Sequence, residues 1–321
     1  MPEVSVIVLA YNTEPYIARC LDSLVSQTME DIEIIVVDDC STDGTPAILE
    51  GYASKDSRIR VIPHDRNRGS LWGRKTGVDA SSGDYIMFVD GDDAVERNCC
   101  ERLYEVAREQ DSDLVICGYT LIDINGNVSH KVNRLSYGSD SSAYIKSLLK
   151  YDVLHVLWGK LYQKDLWKDR EYGYQIDFNY TDDLLLSFEY APHVKKAVAI
   201  DDCLNLYYKN PSSVTERLPS PRITRNILSS YASMFRSVSD QSEEIRGLAR
   251  FETVKGVYKW IRAGCSRKII LDGVRNEGIS DLFSVVSLKE YFGFRRAVVH
   301  WLILHFDWAA RHVVRVNQTK S

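Results

Sequence analysis

The chain has 321 residues, is 45% hydrophobic and carries a formal net charge of -5. That length holds one large domain, or one domain with a smaller attachment, and the acidic balance argues against nucleic acid as a partner. Seven cysteines without a C-x-x-C pair or a regular spacing exclude a zinc module and a disulfide framework, and they predict a reducing, cytoplasmic compartment.

The opening "VSVIVLAY" (4–11) is an apolar, β-branched run of the kind buried on both faces of a sheet. It reads as a first strand rather than a signal peptide, because it lacks a basic lead and a small-residue cleavage site. Thr13 and Pro15 then predict a helix start, with Ile17, Cys20, Leu21, Leu24 and Val25 on one stripe. "IEIIVVDD" (32–39) is a second buried strand, followed by a helix start at Thr45-Pro46. "IRVIPH" (59–64) is a third strand. A loop and helix closed by Gly83 follow over 68–83, and "DYIMFVD" (84–90) is a fourth strand. "CCERLYEVAREQ" predicts a helix and "SDLVICGYTLI" a fifth strand. Repeated βα units imply an α/β fold with a mostly parallel sheet and helices on both faces.

Beyond Asn125 the pattern is less regular. "INGN" is a turn, "SSAYIKSLLKYDVL" is helical, and "WGKLYQKDLW" (158–167) is a short strand entering a helix. A helix begins near Asp182-Asp183, and "KAVAIDDCLNLYYK" (196–209) supplies one or two strands. From about Pro219 the pattern is nearly all helical. Residues 245–321 hold 14 Lys and Arg against 6 Asp and Glu, so this part carries +8 and the remainder -13. The 295–316 segment has one broad apolar stripe and an opposite side with Arg311 and Arg315, the pattern of a helix that either packs on the domain or lies peripherally on an anionic membrane. No apolar run reaches the roughly 18 residues of a membrane span.

Two strands end in carboxylates, Asp38-Asp39 and Asp90-x-Asp92-Asp93. Ligands of open α/β sheets bind beyond the carboxyl ends of the strands. Clustered acids there suit a hard divalent cation, which cancels their repulsion and keeps positions open for phosphates. A solvated acidic turn capping the next helix is the plainer reading, and D-x-D alone does not exclude it. No G-x-G-x-x-G and no P-loop accompanies these strands.

The strings "VSVIVLAYN", "IEIIVVDDCSTDGT", "RNRGSLWGRKTG", "SSGDYIMFVDGDD", "WGKLYQKDLW" and "YTDDLLLSFEY", in this order and spacing, resemble the family 2 glycosyltransferases of the GT-A fold. The resemblance is dense from residue 2 to about 118 and looser to about 215. It implies a catalytic domain over 1–215, with a nucleotide-binding half (1–120) and an acceptor-binding half (121–215), and a helical C-terminal region over 216–321. It implies inverting transfer of one sugar from a nucleotide donor, UDP-linked, to a hydroxyl of a glycan or lipid-linked glycan in surface polysaccharide or glycolipid synthesis.

By the same resemblance Tyr11 and Asn12 would sit beside the base, Asp38 or Asp39 would accept its N3–H, and Arg74 would lie near base and diphosphate. Asp90 would hold the ribose, and Asp92 or Asp93 would hold Mn2+ or Mg2+. Asp183 would be the base, beside Asp182, with Trp158 and Lys160 near the acceptor. Gly73 and Lys75 depart from the Ala-Arg-Asn common in the family, and Lys75 is expected to face water. Tyr208-Lys209 stand where relatives often carry an arginine, before a segment (210–216) that resembles a loop closing over the diphosphate. A sugar nucleotidyltransferase would want a Gly-rich loop after the first strand, which "LAYNTEPY" is not. A catalytically silent nucleotide-sugar binder would not need Asp92, Asp93 and Asp183 together.

Overall fold

The computed structural model describes residues 2–167, 181–210, 220–262 and 266–283. The chain forms two compact units, Met1–Glu216 and Arg217–Ser321. Among the described residues, the first is a nine-stranded sheet with helices. Its chain order is β1 (Val4–Ala10), α1 (Ile17–Val25), β2 (Ile32–Asp38), α2 (Thr45–Ala53), β3 (Ile59–Pro63), α3 (Ser70–Ala80), β4 (Tyr85–Asp90), β5 (Ala94–Val95), α4 (Cys99–Gln110), β6 (Leu114–Ile122), β7 (Val128–Lys131), α5 (Ser141–Leu149), β8 (Lys160–Gln163), α6 (Asp182–Tyr190) and β9 (Ala197–Tyr208). Across the sheet the order is β3-β2-β1-β4-β8-β6-β9-β5, with β7 on β6.

The four N-terminal strands are parallel, as their unbroken apolar runs predict. Side chains alternate across the sheet. Val4, Val6 and Val8 join the core formed with Ile17, Leu21 and Leu24 of α1, Leu49 of α2 and Leu103 of α4. The opposite face of β1 meets α3: a Cβ on Gly77 would collide with Ile7, and one on Gly73 would press on Leu9. These two glycines, one turn apart, let α3 lie close against β1 and fix Arg74 between them. The Gly73 departure noted in the sequence therefore has a packing reason.

Register sets the functional edge. Ala10 pairs with Asp38 and Leu9 with Asp90, so both acid-bearing strand ends flank the end of β1. Further across, β8 runs antiparallel to both β4 and β6. The 196–209 stretch forms the single long strand β9, with register shifts against β6. Two short strands escape the sequence reading. β5 is two residues held by β9, and β7 is the return arm of a hairpin whose turn alone was legible. The first helix starts at Ile17, with Thr13 contributing only its carbonyl, to the N–H groups of Tyr16 and Ile17. Helix α3 ends at Ala80, and Gly83 instead donates its N–H to Ser5 Oγ.

That last contact belongs to a staple. Glu33 Oε1 of β2 accepts from Ser5 Oγ (2.6 Å), from Ser82 N (2.5 Å) and Oγ (2.8 Å), and from Gly83 N (3.2 Å). Burial opposes the Glu33 charge, but these donors outweigh it and hold the carboxyl below its ordinary 4.5. Glu33→Ala is expected to lower stability at pH 7 by about 1–2 kcal/mol. A carboxylate with a depressed folded pKa stabilises above its unfolded value and loses that contribution as pH falls through the folded one. Urea unfolding at pH 7 and pH 3.5 should therefore show the gap to the parent closing at the lower pH; an equal gap at both would refute the staple.

In the second unit, α7 (Pro221–Ser237), α8 (Glu243–Arg262) and α9 (Arg267–Asn276) enclose a separate core of Leu228, Ala232, Val254, Val257, Ile261 and Ile270 with neighbours. Among the described residues no helix is long and apolar enough to cross a membrane. The basic amphipathic segment at 295–316 lies outside the described residues, as do 211–216.

Candidate active site

At the β1 end, Tyr11 is about half exposed, which leaves its ring available at the sheet edge. Asn12 adopts a left-handed φ of 51° and ties two loops together: its N–H bonds Ser41 Oγ (2.9 Å) and its Oδ1 accepts from Thr42 N (2.8 Å). Asp38 is buried and its Oδ1 accepts from Ser41 N and Oγ. Asp39, also buried, accepts from Arg68 N (2.8 Å) and Gly69 N (2.7 Å) and bonds His64 Nδ1 (2.7 Å). His64 Nε2 in turn bonds Thr76 Oγ1 of α3 (2.9 Å). Asp39 thus shapes the turn that launches α3, where Gly69 takes a φ of 84° that other residues resist.

Across β1, Asp90 keeps a third of its side chain in solvent. Asp92 Oδ2 accepts from Asn210 Nδ2 (3.3 Å), and Asn210 Oδ1 accepts from Tyr16 OH (3.1 Å). Arg19 of α1 donates to the Asp92 carbonyl (2.5 Å) and lies 3.5 Å over the Tyr208 ring. Asp93 is buried; its Oδ1 accepts from Tyr208 N (3.0 Å) and its Oδ2 is a buried oxygen with no hydrogen-bond partner. Burial and the neighbouring Asp90 raise the Asp93 carboxyl well above its ordinary range. For Asp90, burial, opposed by Arg74 and reinforced by Asp92 and Asp182, lifts the carboxyl to about 6.

This edge therefore carries more negative charge than the protein's cations balance, and its donors are all oxygens. Such a set fits a hard divalent cation. Among the described residues no three His, Cys, Asp or Glu side chains form a ready-made cage.

Arg74 is buried and forms the hub of the site. It bonds Asp182 Oδ2 through Nη1, and its Nη2 lies 2.9 Å from Asp183 Oδ1 and 3.6 Å from Asp90 Oδ1. Burial works against its charge, but Asp183, Asp182 and Asp90 outweigh that and keep it protonated. Asp182 and Asp183 open α6, where acids also suit the helix dipole. Their carboxylates, however, turn onto Arg74, so capping is not their main engagement. Asp183 retains 28% of its side chain in solvent. Burial raises its carboxyl to about 7; Arg74 opposes this, while Asp182 and Asp90 reinforce it.

Trp158 and Lys160 are not presented as open surfaces. Trp158 is 7% exposed, stacked on Tyr207 (ring centroids 5.6 Å apart) and met edge-on by Tyr119. Lys160 is fully buried. Lys75 pairs with Asp79 one turn along α3 (2.6 Å), on the half-exposed side of the helix.

The family model described as glycosyl transferase family 2 matches residues 5–166. The chain belongs to that family. A relative, the uncharacterized glycosyltransferase EpsJ of Bacillus subtilis, is 33% identical over 235 residues, 72% of this chain and 68% of EpsJ. Among solved structures, S. aureus TarS 1–349 in complex with UDP-GlcNAc superposes with a TM-score of 0.58 at 20% identity, covering 90% of this chain and 91% of TarS 1–349. The mannosyltransferase PcManGT from Pyrobaculum calidifontis, in complex with GDP-Man and Mn2+, gives 0.56 at 17% identity, covering 97% and 86%. These likenesses give the family 2 chain the GT-A fold.

The sequence reading did not find Arg19, His64, Thr76 and Asn210. Arg19 and Asn210 act through long-range contacts to Asp92, His64 through one to Asp39 and Thr76 through one to His64, and such contacts leave no local pattern. Arg19 lies on a helix read only for its apolar stripe.

Proposed function

We propose that this family 2 chain is an inverting glycosyltransferase that moves one sugar from a nucleotide diphosphate donor, UDP-linked, to a hydroxyl of a glycan or lipid-linked glycan. The observation that carries this reading is Asp183 beside the donor-side acids. One guanidinium spans both, and the Asp183 carboxyl is raised to about 7, where a general base works best.

In this reading Tyr11 covers the base, the Asp38-Asp39 pair receives its N3–H, and Asp90 takes a ribose hydroxyl. Asp92, more open than Asp93, would hold Mn2+ or Mg2+, and the ion would supply charge neutralisation of the departing diphosphate. Asp93 fixes the end of β9 behind it. Asp183 accepts the proton of the acceptor hydroxyl while that oxygen bonds to C1, on the face opposite the breaking C1–O bond to the diphosphate. The pair leaves Asp183 protonated and the anomeric centre inverted.

A panel of UDP-sugars with Mn2+, scored for thermal shift and slow donor hydrolysis, tests the reading. One sugar should stand out, and no response to any nucleotide sugar, with or without metal, would sink it. Asp92→Asn is expected to weaken Mn2+ binding in the presence of UDP at least tenfold, about 1.4 kcal/mol. Free Mn2+ measured by electron paramagnetic resonance checks this, and unchanged binding would move the ligand role elsewhere.

A further inference from the structure

The acidic turn after β4 is pinned to the elements beside it. Gly91 N donates to the Leu9 carbonyl (3.0 Å), and a Cβ at position 91 would press on that oxygen and on Ile17 of α1. The peptide between Asp92 and Asp93 is gripped at both ends. Its N–H, on Asp93, donates to the Asp90 carbonyl (3.0 Å), and its C=O, on Asp92, accepts from Arg19 Nη2 (2.5 Å). A peptide unit is planar, so holding both ends sets the direction in which the Asp92 carboxylate leaves the turn.

Arg19 is itself placed by a ring. Its guanidinium lies 3.5 Å over the centroid of Tyr208, the last residue of β9, and 5.9 Å from that of Tyr16. The planar fork of arginine suits such stacking. Arg19 Nε is buried with no hydrogen-bond partner, a loss that an arginine swung into water would avoid. The same Tyr208 gives its N–H to Asp93 Oδ1 (3.0 Å). One residue of β9 therefore fixes both the acid that follows the gripped peptide and the cation that grips it.

We propose that Arg19 is a positioning residue for Asp92: stacked on Tyr208, it holds the Asp92 carbonyl so that the carboxylate is presented to the divalent cation in one orientation. The proposal rests on Asp92 being the metal ligand. Charge and positioning predict opposite effects here. Arg19 is a positive charge beside a cation site, so its field alone opposes the ion, and its removal would tighten binding. Groups that orient metal ligands work the other way and typically contribute about 10- to 100-fold in affinity.

Mn2+ binding at saturating UDP, read as free Mn2+ by electron paramagnetic resonance, separates the two. Arg19→Met should raise the Mn2+ dissociation constant about tenfold, with metal-free UDP binding as in the parent. Unchanged or tighter Mn2+ binding would make Arg19 a clip between α1 and β9 and overturn the proposal. An equal loss of metal-free UDP binding would make it a nucleotide contact and overturn the proposal too. Tyr208→Leu removes the stacking face but not the charge, so it should weaken Mn2+ binding in the same direction. Tyr208→Phe keeps the ring and should bind Mn2+ as the parent does. Should Arg19→Met fail to fold, this pair decides, and equal binding by Tyr208→Leu and Tyr208→Phe would overturn the proposal. Unchanged binding in Asp92→Asn would remove the ligand assignment and this proposal together. Weakened binding in Asp92→Asn with parent-like binding in Arg19→Met would remove this proposal alone.

Discussion

Asp183→Asn should lower kcat about 10²- to 10⁴-fold while leaving donor affinity nearly unchanged. The amide keeps the shape of the carboxylate beside Arg74, but it cannot take the acceptor's proton. Donor contacts are assigned to the other arm of the cluster, on Asp90 and Asp92, so they survive. The pH profile sharpens the test. In the parent, kcat should rise with pH to a plateau, with a midpoint near the value of about 7 to which burial lifts Asp183. In the variant that limb should vanish. Stability should move the other way from activity. A carboxyl with a raised folded pKa destabilises the fold progressively as pH climbs from its unfolded value towards the folded one. Removing it should leave the protein as stable at pH 8, or more so. An inactive, stable variant with a flat profile supports the base. Unchanged kcat, or inactivity with loss of fold, would count against it.

The meeting of the acid-bearing strand ends was legible in the sequence. The apolar runs at 4–11, 32–39 and 84–90 read as buried strands, the repeated βα units imply that they are parallel, and parallel strands deliver their last residues to one edge. That placed Asp38 and Asp90 together without any contact being known. Asp183 was different, since from local pattern alone two acids opening a helix are indistinguishable from a favourable first turn. Resemblance to the family singled it out, and Arg74, 109 residues earlier, holds it in place.

Side-chain orientation was the part the sequence left open, for a physical reason. Trp158 lies in an irregular connection and Lys160 opens the four-residue strand that follows it, so alternation gave no face to read. Trp158 proves to be packed between Tyr119 and Tyr207, and Lys160 lies in the interior. Lysine at zero exposure is the kind of placement that residue type argues against.

Arg74→Met should be the most disruptive single change in the first unit. It removes the guanidinium and leaves Asp90, Asp182 and Asp183 without the cation that all three share. Breaking a buried ion pair by deleting one partner costs about 3–5 kcal/mol. Here the loss should depend on pH. With Arg74 gone, the Asp90 and Asp183 carboxyls, already raised by burial, should rise further, because the charge that opposes the rise has been removed. Groups with raised folded pKa values bind more protons folded than unfolded, so stability falls as pH increases. The variant should therefore be nearer the parent at pH 5.5 and furthest from it at pH 8.5, as urea unfolding would register. Arg74→Lys should recover only part of the difference. An ammonium is a point charge and cannot lie along three carboxylates as a planar fork does. Activity in Arg74→Lys should persist with its acidic midpoint displaced upward, since the base then has weaker opposition to holding its proton. Equal stability of parent and Arg74→Met at both pH values would mean that the three carboxylates are neutralised by something other than Arg74, and the hub would have to be redrawn.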